Sequence, residues 1–250
     1  MMTKNTPVKI DLYADLHCPY AYLTAYRLRQ LRDEYAGKIT IVHRCLSLEY
    51  INRRPTPKTI INEETPILML AEPEIPYRPW KGKLTHWPVT MWPAVEAVKC
   101  AEKQGPALAN DLDWAIRKAF FAENQCISMR HVLLDLARDA GLDLARFTTD
   151  FDDGVTKRQV LQEAQKGWEE LKVEGSPTFV LPSGEQFPYL ALPKVKLNRQ
   201  QNYRATTVEP APCSGQDCLK LYHPGIDMVV SVTRAESGNP YYDLFEESTD

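Results

Sequence analysis

No apolar run in this chain approaches the roughly 20 residues that a helix needs to span a bilayer, so no membrane segment is expected. Positive charge is not in excess: 30 Lys and Arg stand against 33 Asp and Glu, a net charge of -3 at pH 7. That balance gives no electrostatic footprint for nucleic acid. Cysteine is sparse, six in 250 residues, which excludes a disulfide scaffold. The N-terminus offers no continuous apolar core of a signal peptide, because Lys9, Asp11 and Asp15 break the alternation after Pro7. A cytoplasmic protein, in a compartment that keeps most thiols reduced, is therefore the expectation. What remains is ordinary for a soluble globular protein, with 44% hydrophobic and 25% charged residues. The length suits one large domain, or a core domain carrying an insertion.

A further absence is local. Val8, Ile10, Leu12 and Ala14 alternate with polar or aromatic residues, which is the period of a strand. The next residues are Asp15-Leu16-His17-Cys18-Pro19-Tyr20-Ala21, and a helical run follows from Tyr22 to Tyr35. Cys18 therefore stands where a strand ends and a helix begins. Free backbone N–H groups and the helix dipole favour a thiolate at such a place. Pro19 suits the first helical position, where its missing N–H costs nothing. A Cys-x-x-Cys redox motif needs a second cysteine at position 21, and the chain has Ala21 there. Asp15 reads as a solvated turn residue. His17 either tunes the thiolate or, as a neighbour at a strand end, points away.

Ile39 to Arg44 is a second short β-branched strand, so residues 8–44 form a βαβ unit with parallel strands and a right-handed crossover. The 19 prolines cluster at 55–93 and 177–212, which marks those segments as poor in long helix. From Pro93 to Val173 about five helices are expected. Their clearest stripe is Leu108, Leu112, Ala115, Ile116, Ala119 and Phe120. Gly175-Ser176-Pro177 then leads into Thr178-Phe179-Val180-Leu181, and Gln186 to Leu190 returns as a hairpin. The last 50 residues show Gly and Pro breaks and no strong period, and the acidic end Glu246 to Asp250 is expected to fray.

The strand–Cys18-Pro19-Tyr20–helix junction, the helical insertion and Gly175-Ser176-Pro177-Thr178-Phe179 together resemble the DsbA-like branch of the thioredoxin superfamily. Within it, the helical block is similar to FrnE-type proteins and to the 2-hydroxychromene-2-carboxylate isomerase and kappa-class glutathione transferase groups. The resemblance covers roughly residues 6–190. It implies an α/β, thioredoxin-like fold with a helical domain inserted between the βαβ unit and the C-terminal β-hairpin. The expected division is a discontinuous core at 6–50 and 155–200, a helical insertion at 51–154 and a C-terminal extension at 201–250. It further implies that Pro177 is a cis-proline that exposes the Ser176 backbone beside the Cys18 sulfur. Dithiol members carry a second cysteine where this chain has Ala21, and the transferase and isomerase members carry serine where it has Cys18.

The expected chemistry is thiol–disulfide exchange through Cys18 alone, with a mixed disulfide as intermediate. His17, Pro19, Tyr20, Ser176 and Pro177 are the expected substrate-binding residues. Because Ala21 cannot release the intermediate, another thiol must. The candidates are an external thiol, the substrate, Cys45, or Cys213 and Cys218. Cys45 reads foremost as a buried strand cysteine, and Cys213/Cys218 as a local disulfide or inert thiols. Cys213, Cys218 and His223 lack a fourth ligand, so no metal is expected. No bound cofactor is expected, with glutathione or another low-molecular-weight thiol as cosubstrate. The expected partners are a protein disulfide or a small thiol, with a homodimer left open. Two other functions stay open. One is a glutathione-dependent transferase or isomerase acting on a small aromatic molecule, with Tyr77, Trp80, Trp87 and Trp92 as a substrate wall. The other is a redox-inactive peptide-binding module. Packing under a long loop is the simpler role for the four aromatics.

Overall fold

The structure is a computed structural model that describes residues 7–213, 216–220 and 222. Its centre is β1 (Val8–Ala14), whose alternation sends side chains to two faces. Val8, Ile10, Leu12 and Ala14 join one apolar cluster with Ala21, Leu31 and Tyr35 of the following helix and its exit. Tyr13 faces the other way and packs with Leu46, Val173 and Val180. Helix α1 (Pro19–Leu31) begins on Pro19, as expected, and runs back to β2 (Ile39–Cys45). β1 and β2 are parallel, with Val8 opposite Ile39 and Ala14 opposite Cys45. β3 (Thr178–Val180) adds antiparallel on the other side of β1, and β4 (Gln186–Pro188) follows it antiparallel. The sheet order is β2-β1-β3-β4. This antiparallel return brings the start of β3 to the edge where β1 ends.

Between β2 and β3 lie α2 (Leu48–Asn52), α3 (Lys58–Met69), α4 (Trp92–Glu102), α5 (Pro106–Phe121), α6 (Arg130–Asp139), α7 (Leu144–Asp152) and α8 (Lys157–Gln165). The last five match the helical block expected from 93 onward. α5 buries Leu112, Ile116, Ala119 and Phe120, the stripe read from its spacing. α3 departs from expectation, because the proline-rich stretch holds a helix of 12 residues. Ile61, Thr65, Leu68 and Met69 form its buried stripe at i, i+4, i+7 and i+8. Pro66 lies inside it, and the Thr65 hydroxyl donates to the Ile61 carbonyl at 2.6 Å. Tertiary burial of that stripe outweighs the missing N–H. Trp80 and Trp87 pack with Phe120 in the helical core, with Tyr77 and Trp92 partly buried against it.

A one-turn π-helical stretch, Lys166–Glu170, continues α8 across the back of the sheet. A Cβ on Gly167 would come within 2.7 Å of the Leu46 Cδ1 and 2.9 Å of the Tyr13 ring. Gly167→Ala is therefore expected to lose about 1–3 kcal/mol by overpacking, read as a lower denaturant midpoint with an unchanged slope. An unchanged midpoint would show that the stretch can move aside freely.

Beyond the four-stranded sheet, β5 (Lys194–Asn198) and β6 (Arg204–Glu209) pair as a separate antiparallel ribbon. The boundary expected at residue 200 falls in the turn of this ribbon. Both strands leave most side chains exposed or half-buried, so they carry little apolar alternation to read. The short helix α9 (Gln216–Lys220) follows, and Tyr222 packs edge-on against Phe179. No helix among the described residues is long and apolar enough to cross a membrane.

Candidate active site

Cys18 is the N-cap residue of α1, with φ -86° and ψ 119°, and its carbonyl accepts the Tyr22 N–H at 3.0 Å. The Ser176–Pro177 peptide is cis. Across that junction the Cys18 thiol donates to the Ser176 carbonyl at 3.2 Å. Two features 158 residues apart in the chain therefore meet at one sulfur. Gly175 lets them come this close to Tyr189, because a Cβ there would fall 1.9 Å from the Tyr189 hydroxyl.

Asp15 holds this meeting point together. It is 2% exposed, so the solvated-turn expectation fails. Its N–H donates to the Ser176 hydroxyl at 2.9 Å. Its carboxylate accepts the His17 N–H at 2.6 Å and the Leu48 N–H at 2.8 Å. One residue thus ties the end of β1, the start of α2 and the cis-proline loop. Burial raises its carboxyl pKa, while the Leu48 and His17 N–H groups oppose the rise.

Cys18 is only 4% exposed, yet it opens on a cavity of about 420 Å³. The core lines this cavity with His17, Pro19, Tyr20, Ser176 and Tyr189, and the helical insertion adds Arg54, Ile60 and Glu64. Leu197, Arg199 and Tyr203 come from the β5–β6 ribbon. The ribbon is anchored over the site: the Val195 N–H donates to the Tyr20 hydroxyl at 3.0 Å, and Arg54 donates to the Tyr203 hydroxyl at 3.1 Å.

Burial dominates the electrostatics. It pushes the Cys18 thiol up to about 12, against the Ser176 and Ala21 groups that favour the thiolate. The thiolate expected from the helix N-terminus alone is thus outweighed by desolvation. Burial also lowers His17 to about 3. Its ring sits edge-on to Phe120 at 4.5 Å and tilted on Trp87 at 5.1 Å. His17 is therefore neutral near pH 7 and supplies no charge to the sulfur, although it borders the cavity.

The DSBA-like thioredoxin domain matches residues 9–192. The chain belongs to that family. Among curated proteins, the ClpXP adapter protein SpxH of Shouchella clausii (strain KSM-K16) is 25% identical over 189 residues. That alignment takes in 70% of this chain and 57% of SpxH, so the chain spans little more than half of that relative's length. The fold matches the cytosolic disulfide reductase DsbM from Pseudomonas aeruginosa at TM-score 0.62 and 16% identity, covering 92% of this chain and 98% of that one. It matches 2-hydroxychromene-2-carboxylate isomerase at TM-score 0.56 and 14% identity, covering 92% and 100%.

Within this DSBA-like domain the structure places the other expected residues as follows. Pro177 is not among the residues lining the cavity, and its carbonyl accepts the Tyr189 N–H at 3.0 Å. Cys45 ends β2 at 1% exposure, and burial raises its thiol well above the ordinary value. It packs in the helical-domain core and does not line the cavity, which fits a buried strand cysteine rather than a resolving thiol. Cys213 and Cys218 are joined as a disulfide, with Cα atoms 4.9 Å apart. So joined, they offer no free thiol to release an adduct, and neither lines the cavity. His223 lies outside the described residues. No group of three His, Cys, Asp or Glu arranged for a metal occurs among the described residues.

Sequence reasoning missed Glu64, Arg54, Arg199, Tyr189 and Tyr203. Glu64 left one faint signal, a carboxylate beside the stripe of α3, between Ile60–Ile61 and Thr65. The others stand in irregular segments or a polar ribbon, where no periodicity marks a lining residue.

Proposed function

We propose that the protein carries out thiol–disulfide exchange through Cys18 with a low-molecular-weight thiol of the glutathione class. The observation that carries this reading is the Cys18 sulfur bonded to the Ser176 carbonyl at the wall of a cavity of about 420 Å³. A volume of that order suits a small ligand. Leu197, Arg199 and Tyr203 of the β5–β6 ribbon line one side of the cavity. Arg54 and Arg199 in the lining offer positive charge to the carboxylates of a peptide thiol. Fold neighbours give context: DsbM is described as a cytosolic disulfide reductase and has been solved with GSH.

With Ala21 in place of a second cysteine and Cys213–Cys218 closed, release of the mixed disulfide falls to an external thiol. That favours reduction or deglutathionylation over net oxidation. Incubation with oxidised glutathione is expected to place one adduct on Cys18, absent from Cys18→Ala and removed by reduced glutathione. Peptide mass spectrometry reads the position. An adduct confined to the half-buried Cys126, or none, would sink the proposal.

One observation favours a second reading, a redox-inactive binding module: Cys18 is buried and its thiol is held protonated. Likeness to an adapter protein agrees with such a role. Under it, wild type and Cys18→Ala bind reduced glutathione with equal affinity by calorimetry, and neither exchanges.

A further inference from the structure

Glu64 lines the cavity without a hydrogen-bond partner among the described residues. It projects from α3, in the helical insertion, and lines the same space as Cys18 in the core. No hydrogen bond or ion pair engages it among the described residues. Its neighbour Glu63, by contrast, accepts the Ala205 N–H of the ribbon at 3.4 Å. The titratable and charged groups around the cavity are His17, Cys18 and Tyr20 at the start of α1 and Arg54 after α2. Tyr189 after β4, and Arg199 and Tyr203 in the ribbon, complete the set. Of these, Cys18, Tyr20 and Tyr189 feel the Glu64 charge. A thiol held protonated by burial can attack a disulfide only if something takes its proton. His17, lowered to about 3 by burial, is too weak a base near neutrality, and the two arginines cannot accept one.

We propose that Glu64 is the general base and acid of the exchange, accepting the Cys18 proton during attack and returning it to the leaving sulfur. The inference rests on the exchange reading above. In the forward step the Cys18 Sγ–H proton passes to the Glu64 carboxylate through water in the cavity that both groups line, since the resting thiol donates to Ser176 and not to Glu64. The sulfur electron pair attacks the near sulfur of a bound disulfide. The old S–S bond breaks, and its electron pair leaves on the far sulfur, which takes the proton from Glu64. One disulfide is lost and one is gained, with no net oxidation. Burial supports the assignment independently of the cavity geometry, because it lifts the Glu64 carboxyl to about 7, where both of its forms are populated near neutrality. Resting Glu64 and Cys18 are thus coupled in two ways: the carboxylate disfavours a nearby thiolate, and the same carboxylate removes the proton when a disulfide arrives.

The test is the rate of Cys18 adduct formation with oxidised glutathione from about pH 5.5 to 9, for wild type, Glu64→Gln and Glu64→Asp. Wild type is expected to rise with pH and bend near 7, as Glu64 ionises. Glu64→Gln is expected to lose the bend and to be about 100-fold slower at pH 8, the scale of general acid–base catalysis. Glu64→Asp is expected to keep a bend at a lower plateau, and it answers the question alone if the Gln variant does not fold. A Gln variant as fast as wild type, or faster, overturns the assignment, since Glu64 would then be only a brake on the thiolate. A Gln variant that keeps the bend and weakens only glutathione binding overturns it as well. A wild type that forms no Cys18 adduct overturns the exchange reading itself, an outcome distinct from failure of Glu64 alone.

Discussion

In the native protein at pH 7, Cys18 is expected to react with iodoacetamide about a thousandfold more slowly than an unfolded cysteine. The thiolate is the reacting form, so its population and its access to the reagent govern the rate. Burial lifts the thiol from an ordinary value of 9.0 to about 12, about three tenfold steps in thiolate population. The stronger nucleophilicity of a high-pKa thiolate offsets part of this, and the poor access of a buried sulfur restores it. The helix N-terminus and the Ala21 N–H pull the other way, but they act on a side chain almost wholly removed from water. The sign of the linkage is fixed by the same shift. The fold prefers the protonated thiol, so the stability it contributes is fully present below pH 9 and is lost as pH rises toward 12. Tyr13 and Tyr189, also raised to about 12, lose stability in the same window, so the Cys18 share is the difference between wild type and Cys18→Ala. Quenched alkylation across pH, read by mass spectrometry, checks the rate. A half-maximal rate near or below pH 7 would rule out the burial argument.

Low resting reactivity is compatible with exchange. A buried, protonated sulfur resists oxidation by passing oxidants, because susceptibility follows thiolate character and exposure. Under the proposed exchange, attack would wait for a disulfide that fits the cavity. Selectivity would then come from the cavity lining and from proton removal at the moment of contact, not from a standing thiolate.

The route from sequence to this site was uneven. The period-two alternation of Val8 to Ala14, Pro19 at a helix start and the stripe of α5 marked three elements, because each buries one face against a neighbour. The meeting of Cys18 with Ser176 was legible from strand order, since an antiparallel third strand must begin where the first one ends. The β5–β6 ribbon was not legible. Its side chains stay half-wet on both faces, so Val195 and Leu197 are too few to set a period. α3 was hidden by prolines that its tertiary contacts override. The sign of the Cys18 shift was unreadable because the sulfur is buried by residues distant in sequence, Phe179, Leu181 and Ala191 among them, whose arrival beside it no local pattern marks.

Arg117→Met is expected to be the most destabilising single change around the site, by about 3–5 kcal/mol, the usual cost of breaking a buried pair. In a chain of this length that lowers the melting temperature by on the order of 10 °C. Arg117 is 1% exposed and reaches Asp113, one turn earlier on α5, by two bonds of 2.8 and 3.1 Å. A third bond, 3.0 Å, goes to the Asp15 carbonyl. Burial alone would raise the Asp113 carboxyl, but the Arg117 guanidinium and the His43 ring, 3.4 Å away, hold it below the usual carboxylate range. A depressed carboxylate contributes stability above its unfolded pKa and loses it as pH falls through the folded value. The wild-type advantage over the variant should therefore shrink in acid. The single substitution would leave Asp113 buried with only His43 beside it, whereas Arg117→Met with Asp113→Leu removes both charges and should recover most of the loss. If the double variant stays as weak as the single one, the bond to Asp15 is the larger contribution. That result would also matter for the thiol, because Asp15 is what holds Ser176 against Cys18.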